Sequence, residues 1–164
     1  MIETKRLFLQ KFQASDLDTY YNLMHQSDVY QWLGKGKEIS KDHAKKMIDY
    51  YDFHWNKYQI GTWAVFLKDT KACIGHCGFN YVKDLDEFEL LYAFGKQYWH
   101  KGYATESAKA AMDWLKKDMK LKKIIALSYP KNQRSIHVIE KLGFDYMNEI
   151  TLFNTQLNLY KQEL

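Results

Sequence analysis

Between Thr62 and Tyr129 the hydrophobic period of this chain changes from strand-like to helical and back, which restricts the fold more than any other feature. Thr62–Leu67, Ala72–Tyr81 and Glu87–Phe94 alternate apolar and polar positions across the polar turns Lys68–Lys71 and Lys83–Asp86, the pattern of an antiparallel meander. Ala104, Ala108, Ala111 and Leu115, with Trp114 beside them, then recur at helical spacing, and Lys123–Tyr129 returns to alternation. A strand, a crossover helix and a second strand lie as parallel neighbours with right-handed sense. Glu87–Phe94 and Lys123–Tyr129 are therefore expected side by side, and small residues let the helix between them lie close on the sheet.

The remaining segments fill in around that unit. Thr4–Phe12 reads as an opening strand, and Ser15 followed by Asp18 resembles a capping pair for a helix over Asp16–Met24. Gly34 and Gly36 break the chain, and Ser40 caps a second helix that repeats apolar residues from Ala44 to Trp55. After Pro130, Asn132 caps a short helix carrying Ile136, Ile139 and Leu142, and Gly143 is placed for a left-handed cap. Phe144–Thr151 and Thr155–Lys161 form a closing hairpin. The order β-α-α-β-β-β-α-β-α-β-β gives an α/β (α+β) class, a mixed and mostly antiparallel sheet of about seven strands flanked by four helices.

Residues 1–164 fit one domain, and 46% hydrophobic and 16% aromatic residues supply a core. A net charge of +4 is too mild to imply duplex nucleic acid, though it suits an anionic small ligand. Lys116, Lys117, Lys120, Lys122 and Lys123 complement the dipole at the end of the long helix and read as a solvated helix end. No run reaches the roughly 18 apolar residues of a membrane span, and Met1 leads directly into charged alternation, so a cytoplasmic protein without a membrane partner is expected. Cys73 and Cys77 flank His76 on a strand, where four residues separate the sulfurs by about 13 Å, too far for a disulfide or a shared metal. They read as buried thiols, with no metal expected. His25, His43, His54 and His137 read as structural or surface residues.

Ligands in sheets with a parallel crossover favour the crevice outside the strand C-termini. Trp99-His100-Lys101-Gly102-Tyr103-Ala104-Thr105 leads into the crossover helix there, with small residues where bulk would keep a ligand from the backbone and free N–H groups at the positive helix end. A phosphate-bearing ligand fits that description.

Three motifs carry a resemblance to a known family: Glu89-Leu90-Leu91-Tyr92-Ala93-Phe94, Tyr98 through Glu106, and Asn132-x-x-Ser135-x-x-x-x-Glu140-Lys141-Leu142-Gly143-Phe144. Together with Thr4-Lys5-Arg6-Leu7-x-Leu9 they resemble the GNAT superfamily of acyl-coenzyme A-dependent N-acetyltransferases, and more narrowly its ribosomal-protein N-terminal (alanine/serine) acetyltransferase branch. The resemblance implies a splay between the parallel fourth and fifth strands, with acetyl-CoA in the wedge as cosubstrate. It implies that His100, Lys101, Gly102, Tyr103, Ala104 and Thr105 present backbone N–H groups to the pyrophosphate. Ala93, Phe94 and Gly95 would pair with the pantetheine arm, and Asn132 and Ser135 would face the pantetheine and thiol. Ile139 stands where many relatives carry a tyrosine that protonates the departing thiolate, which makes Ser135 the substitute, with water as the fallback.

Acetyl transfer to a primary amine by direct attack needs a neutral amine, a stabilised oxyanion and a route for the thiolate to leave. Glu89 is the candidate base: it begins the fourth strand, and its place in Glu-x-x-x-Ala-x resembles that of the glutamate that some superfamily members use as base; the same residue also reads as a glutamate on a solvated strand face near Asp86 and Glu87. The backbone N–H of Ala93 or Phe94 would hold the oxyanion. Trp32, Tyr50, Tyr51 and Trp55 read mostly as core, with some free to shape the acceptor pocket. Two other readings compete: a non-catalytic acyl-CoA-binding sensor or partner protein, and a basic RNA-binding domain, the weakest because acidic residues are scattered evenly. Whether the acceptor is a small molecule or a peptide amine, and whether the chain forms a homodimer, stay open at the level of sequence.

Overall fold

The computed structural model describes residues 1–119 and 121–164; Lys120 of the lysine cluster lies outside the described residues. Eight strands form one sheet: β1 (Ile2–Glu3), β2 (Leu7–Gln10), β3 (Thr62–Leu67), β4 (Cys73–Val82), β5 (Glu87–Phe94), β6 (Lys123–Ser128), β7 (Asp145–Leu152) and β8 (Thr155–Glu163). Their order is β1-β2-β3-β4-β5-β6-β8-β7. The β5–β6 pair is parallel, as the crossover requires, and the other adjacent pairs are antiparallel. The sheet has one strand more than expected because Ile2–Glu3 pairs with Phe8 and Leu9, a segment too short to show alternation.

Among the described residues five α-helices flank the sheet: α1 (Leu17–Met24), α2 (Ser27–Tyr30), α3 (Lys41–Tyr58), α4 (Tyr103–Trp114) and α5 (Gln133–Lys141). The helix missed in the sequence, α2, is a single turn, below the length at which a 3.6-residue period can be read. The entry to α1 also differs from expectation. Asp16, not Asp18, reaches back, its carboxylate accepting the Gln13 N–H at 2.8 Å, and a short 3₁₀ turn over Ala14–Asp16 precedes the helix. Ser40 does cap α3, accepting the His43 N–H at 3.1 Å, and Asn132 caps α5 through the Ser135 N–H at 3.3 Å. Gly143 closes α5 at φ +91°, a conformation that costs a side chain dearly and glycine nothing. Beyond Trp114, α4 runs into a π-helical turn over Leu115–Met119.

The sheet divides the core in two. On one face α4 and α5 pack Ala108, Ala111, Ile136 and Ile139 against Leu7, Ile74 and Phe79. On the other face Tyr20, Met24, Ala44 and Tyr51 from α1 and α3 cover Ala64, Phe66 and Ala93. Cys77 lies in the first core and Cys73 in the second, because the β3–β4 ladder slips at Val65/Phe66. Both cysteines are buried free thiols, raised by burial to about 12. Among the described residues no helix is long and apolar enough to cross a membrane.

Candidate active site

The ladder between β5 and β6 is short. Pairing is confined to Glu89↔Ile125 and Leu90↔Ala126, although β5 continues to Phe94 and β6 to Ser128. Past Leu90 the two parallel strands diverge, and a cleft of about 1130 Å³ opens through the sheet. Because a strand points successive side chains to opposite faces, the cleft has two halves. Glu89 belongs to the face covered by α3, whereas Tyr92 reaches the face covered by α5, where its hydroxyl lies 3.1 Å from both the Oγ and the carbonyl oxygen of Ser135.

The half under α4 and α5 is built from main chain. The first intrahelical bond of α4 runs from the Glu106 N–H to the Gly102 carbonyl, so the N–H groups of Tyr103, Ala104 and Thr105 point out of the helix end. His100 at φ +60° and Gly102 at φ +79° turn the approach left-handed, a geometry that gathers N–H groups into an anion-binding concavity. His100, Gly102, Tyr103, Ala104 and Thr105 all line the cleft. Lys101 does not. Its ammonium stands 5.9 Å over the Tyr98 ring, and its carbonyl accepts from Arg6 Nη1 at 2.8 Å.

The opening Thr4–Arg6 segment fixes this loop. Glu106 Oε1 accepts the Thr4 hydroxyl at 2.6 Å and the Arg6 N–H at 2.9 Å, and its Oε2 meets Arg6 Nε at 2.6 Å. Burial tends to raise the Glu106 carboxyl, but these donors together hold it below the usual carboxylate range. The Arg6 guanidinium also stacks over Tyr103 at 4.5 Å. Across the cleft, the Arg134 guanidinium lies 3.8 Å over the Trp99 ring, and the Trp99 indole donates to the Phe94 carbonyl at 2.8 Å. Asn132 and Ser135, at the start of α5, complete this wall.

The geometry corrects the expected pantetheine edge. Gly95 donates its N–H to Ile74 on β4 at 3.1 Å, and the cleft lining does not include it. Antiparallel main chain alternates, so the His76↔Ala93 pair also bonds within the β4–β5 ladder, which turns the Ala93 N–H away from the cleft. The main-chain groups facing the divergence are those of Tyr92 and the N–H of Phe94. The N–H groups on the free edge are therefore those of Tyr92 and Phe94, not that of Ala93. Sequence reasoning missed Tyr92 because the alternation of the strand was read without the register that says which edge is free.

The half under α3 is built from side chains. Glu89 is half-buried and opens into the cleft; removal of water from the rest of its surroundings pushes its carboxyl up to about 8. Beside it the Tyr50 hydroxyl donates to Asn80 Oδ1 at 2.6 Å, and Asn80 is the cross-strand partner of Glu89. Tyr51, raised to about 12 by burial, shares a 3.4 Å contact with the Tyr20 hydroxyl, which lies 3.0 Å from His76 Nδ1. His76, the middle of the cysteine-flanked triplet, is held down to about 3 by burial and stays neutral. Trp55 belongs to the core, its indole donating to the Thr62 carbonyl at 2.9 Å, whereas Trp32, Tyr50 and Tyr51 line the cleft. His54 is structural: it lies 2.8 Å from the Ile60 carbonyl through Nδ1 and accepts the Tyr81 N–H through Nε2. His137, read from sequence as structural or surface, is exposed and also lines the cleft.

The donor set suits a diphosphate ester at one end and an amine at the other: aligned N–H groups for an anion, then a carboxyl that titrates near neutrality. Ile139 is buried at 1% exposure, with no polar group to offer.

Comparison with known proteins agrees with that geometry. Residues 6–145 match the acetyltransferase (GNAT) domain family. An uncharacterised N-acetyltransferase of Bacillus subtilis, YnaD, is 32% identical over 87% of this chain and 81% of its own. The spermidine N(1)-acetyltransferase of Escherichia coli is 29% identical over 87% and 74%. The structure of a ribosomal L7/L12 α-N-protein acetyltransferase in complex with coenzyme A shares the fold, with a TM-score of 0.83 over 98% of this chain and 96% of that one, at 15% identity.

Proposed function

The chain belongs to the GNAT acetyltransferase family and is an N-acetyltransferase; from that premise we propose that it moves an acetyl group from acetyl-CoA to a primary amine by direct attack in a ternary complex. The observation that carries the reading is the divergence of β5 and β6, which puts anion-binding main chain and a near-neutral carboxyl in one cleft. In this reading the N–H groups of Tyr103, Ala104 and Thr105 bind the diphosphate, helped by the dipole of α4. The pantetheine arm adds along the free edge of β5 at Tyr92 and Phe94, as an extended ligand adds to a sheet. The 29% identical spermidine acetyltransferase supports a small-molecule amine as acceptor.

Glu89 removes a proton from the acceptor. A base that titrates near 8 is close to the best compromise between being deprotonated in neutral water and still pulling on an ammonium. The nitrogen lone pair forms the new C–N bond at the thioester carbon, and one main-chain N–H of that edge, that of Tyr92 or of Phe94, stabilises the oxyanion while the other pairs with the pantetheine. When the C–S bond breaks, the thiolate takes a proton from the Ser135 hydroxyl; the second proton that the nitrogen sheds as the amide forms passes through water and the Tyr92 hydroxyl, 3.1 Å from Ser135 Oγ, and restores it. Ser135 thus stands in for the tyrosine that Ile139 replaces.

Thiol release from acetyl-CoA, followed across a panel of primary amines, tests the reading. Amine-dependent release that Glu89→Gln suppresses supports it. Coenzyme A binding without turnover for any amine overturns catalysis and leaves an acyl-CoA-binding protein.

A further inference from the structure

We propose that the acceptor brings a single cationic nitrogen to this cleft and that its second polar group is an oxygen anion, which makes a polyamine the wrong charge type; the inference rests on the catalytic reading above. Among the described residues lining the cleft, Glu89 is the sole carboxylate. A second ammonium on the acceptor would find no countercharge. It would instead meet lysines. Lys83 lines the cleft where the β4–β5 turn begins, at the end of β5 remote from the diphosphate loop. Lys35 lines it from the segment between α2 and α3, which the Tyr129 hydroxyl anchors through the Gly34 carbonyl. Both residues are exposed.

A separate observation points the same way. Trp32 lines the cleft edge-on to Tyr129, ring centroids 6.0 Å apart, and its Nε1–H is buried with no acceptor among the described residues. A buried N–H without a partner is costly, and a carboxylate or carbonyl oxygen of a ligand would satisfy it. Trp32, Tyr50, Tyr129, Val82 and Leu152 supply flat and apolar surface between these polar points, suited to an uncharged body on the acceptor.

Three five-carbon amines that differ only in the far end isolate the charge: 5-aminopentanoate, pentylamine and 1,5-diaminopentane. With protein saturated in acetyl-CoA, kcat/KM for thiol release should fall in that order, by about fivefold at each step, the size of one solvent-screened charge contact. The spread should shrink as salt is added. The double variant Lys35→Glu/Lys83→Glu should invert the order. A diamine that matches or outruns pentylamine in the wild-type protein, with catalysis intact, overturns the charge assignment alone, as does a double variant that turns over and keeps the wild-type order. Coenzyme A binding with no turnover of all three amines removes the catalytic reading and this inference with it.

Discussion

The two halves of the cleft are made from different materials. The half proposed for the coenzyme rests on main chain: orphan N–H groups at the start of α4 and a left-handed Gly102, braced by the Arg6–Glu106 pair. The half proposed for the acceptor rests on side chains, with Glu89, Tyr50, Tyr51 and Trp32 contributed by a strand, a helix and a loop. Main-chain recognition constrains the sequence through conformation and size, so it leaves a compact local signature. Side-chain recognition draws residues from distant segments and can be exchanged piece by piece. One half should therefore be sensitive to backbone changes and indifferent to chemistry, and the other the reverse.

The largest expected break of this contrast is Glu89→Gln. Loss of a general base should lower kcat/KM by about 10²–10⁴-fold while coenzyme affinity stays within twofold or so of wild type. The wild-type rate should rise with pH as Glu89 loses its proton, levelling above about 8, and the variant should lose that limb. The same residue has an opposite effect on stability. Its carboxyl is protonated in the fold up to about 8 but ionises near the ordinary carboxylate value when unfolded, so its contribution is fully present at acid pH and lost as pH rises through 8. Allowing for water in the cleft, that loss is of the order of 2–4 kcal/mol. Thermal melts should show Glu89→Gln gaining on wild type at pH 9 and not at pH 4.

Gly102→Val comes next. A β-branched residue at φ +79° costs about 1–2 kcal/mol or more, and its Cβ would stand 3.4 Å from the Arg6 guanidinium. Titration calorimetry should find coenzyme A binding weakened at least about tenfold, with acceptor selectivity unchanged. Glu106→Ala removes the carboxylate that gathers Thr4 and Arg6, which should cost about 2 kcal/mol of stability by denaturant titration and loosen coenzyme binding only secondarily. The smallest effect is expected of Tyr50→Phe. It frees Asn80 at a site 43% exposed, and it should move the acceptor KM by no more than about threefold with no change in coenzyme affinity.

The uneven legibility of the sequence has the same origin. The crossover from Glu87–Phe94 through α4 to β6 was readable because three long, strongly periodic segments follow one another. The left-handed entry to α4 was readable because Gly102 stands immediately before the helix and small Ala104 within its first turn. What stayed hidden depends on register. The commitment of the Ala93 and Gly95 N–H groups to β4, and the facing of Tyr92 toward Ser135, follow from how β5 pairs, which the residues of β5 alone do not state. The short helix α2 and the Asp16 cap were hidden for a local reason, since one turn carries no period and Gln13 gives no capping signal. Glu89 was found as a candidate, but its shift to about 8 comes from burial in the folded cleft, which its place in the sequence does not state.

The central claim is that main-chain N–H groups before α4 grip a diphosphate at the mouth of the diverging strands. Calorimetric titration of the folded protein with coenzyme A and, in parallel, with pantetheine, which lacks the diphosphate and the nucleotide, tests it most directly. Coenzyme A should bind in the micromolar class and pantetheine at least about a hundredfold more weakly, the gap expected when charge-assisted hydrogen bonds are lost. Equal affinity for the two ligands, or no heat with coenzyme A at millimolar concentration, would contradict it.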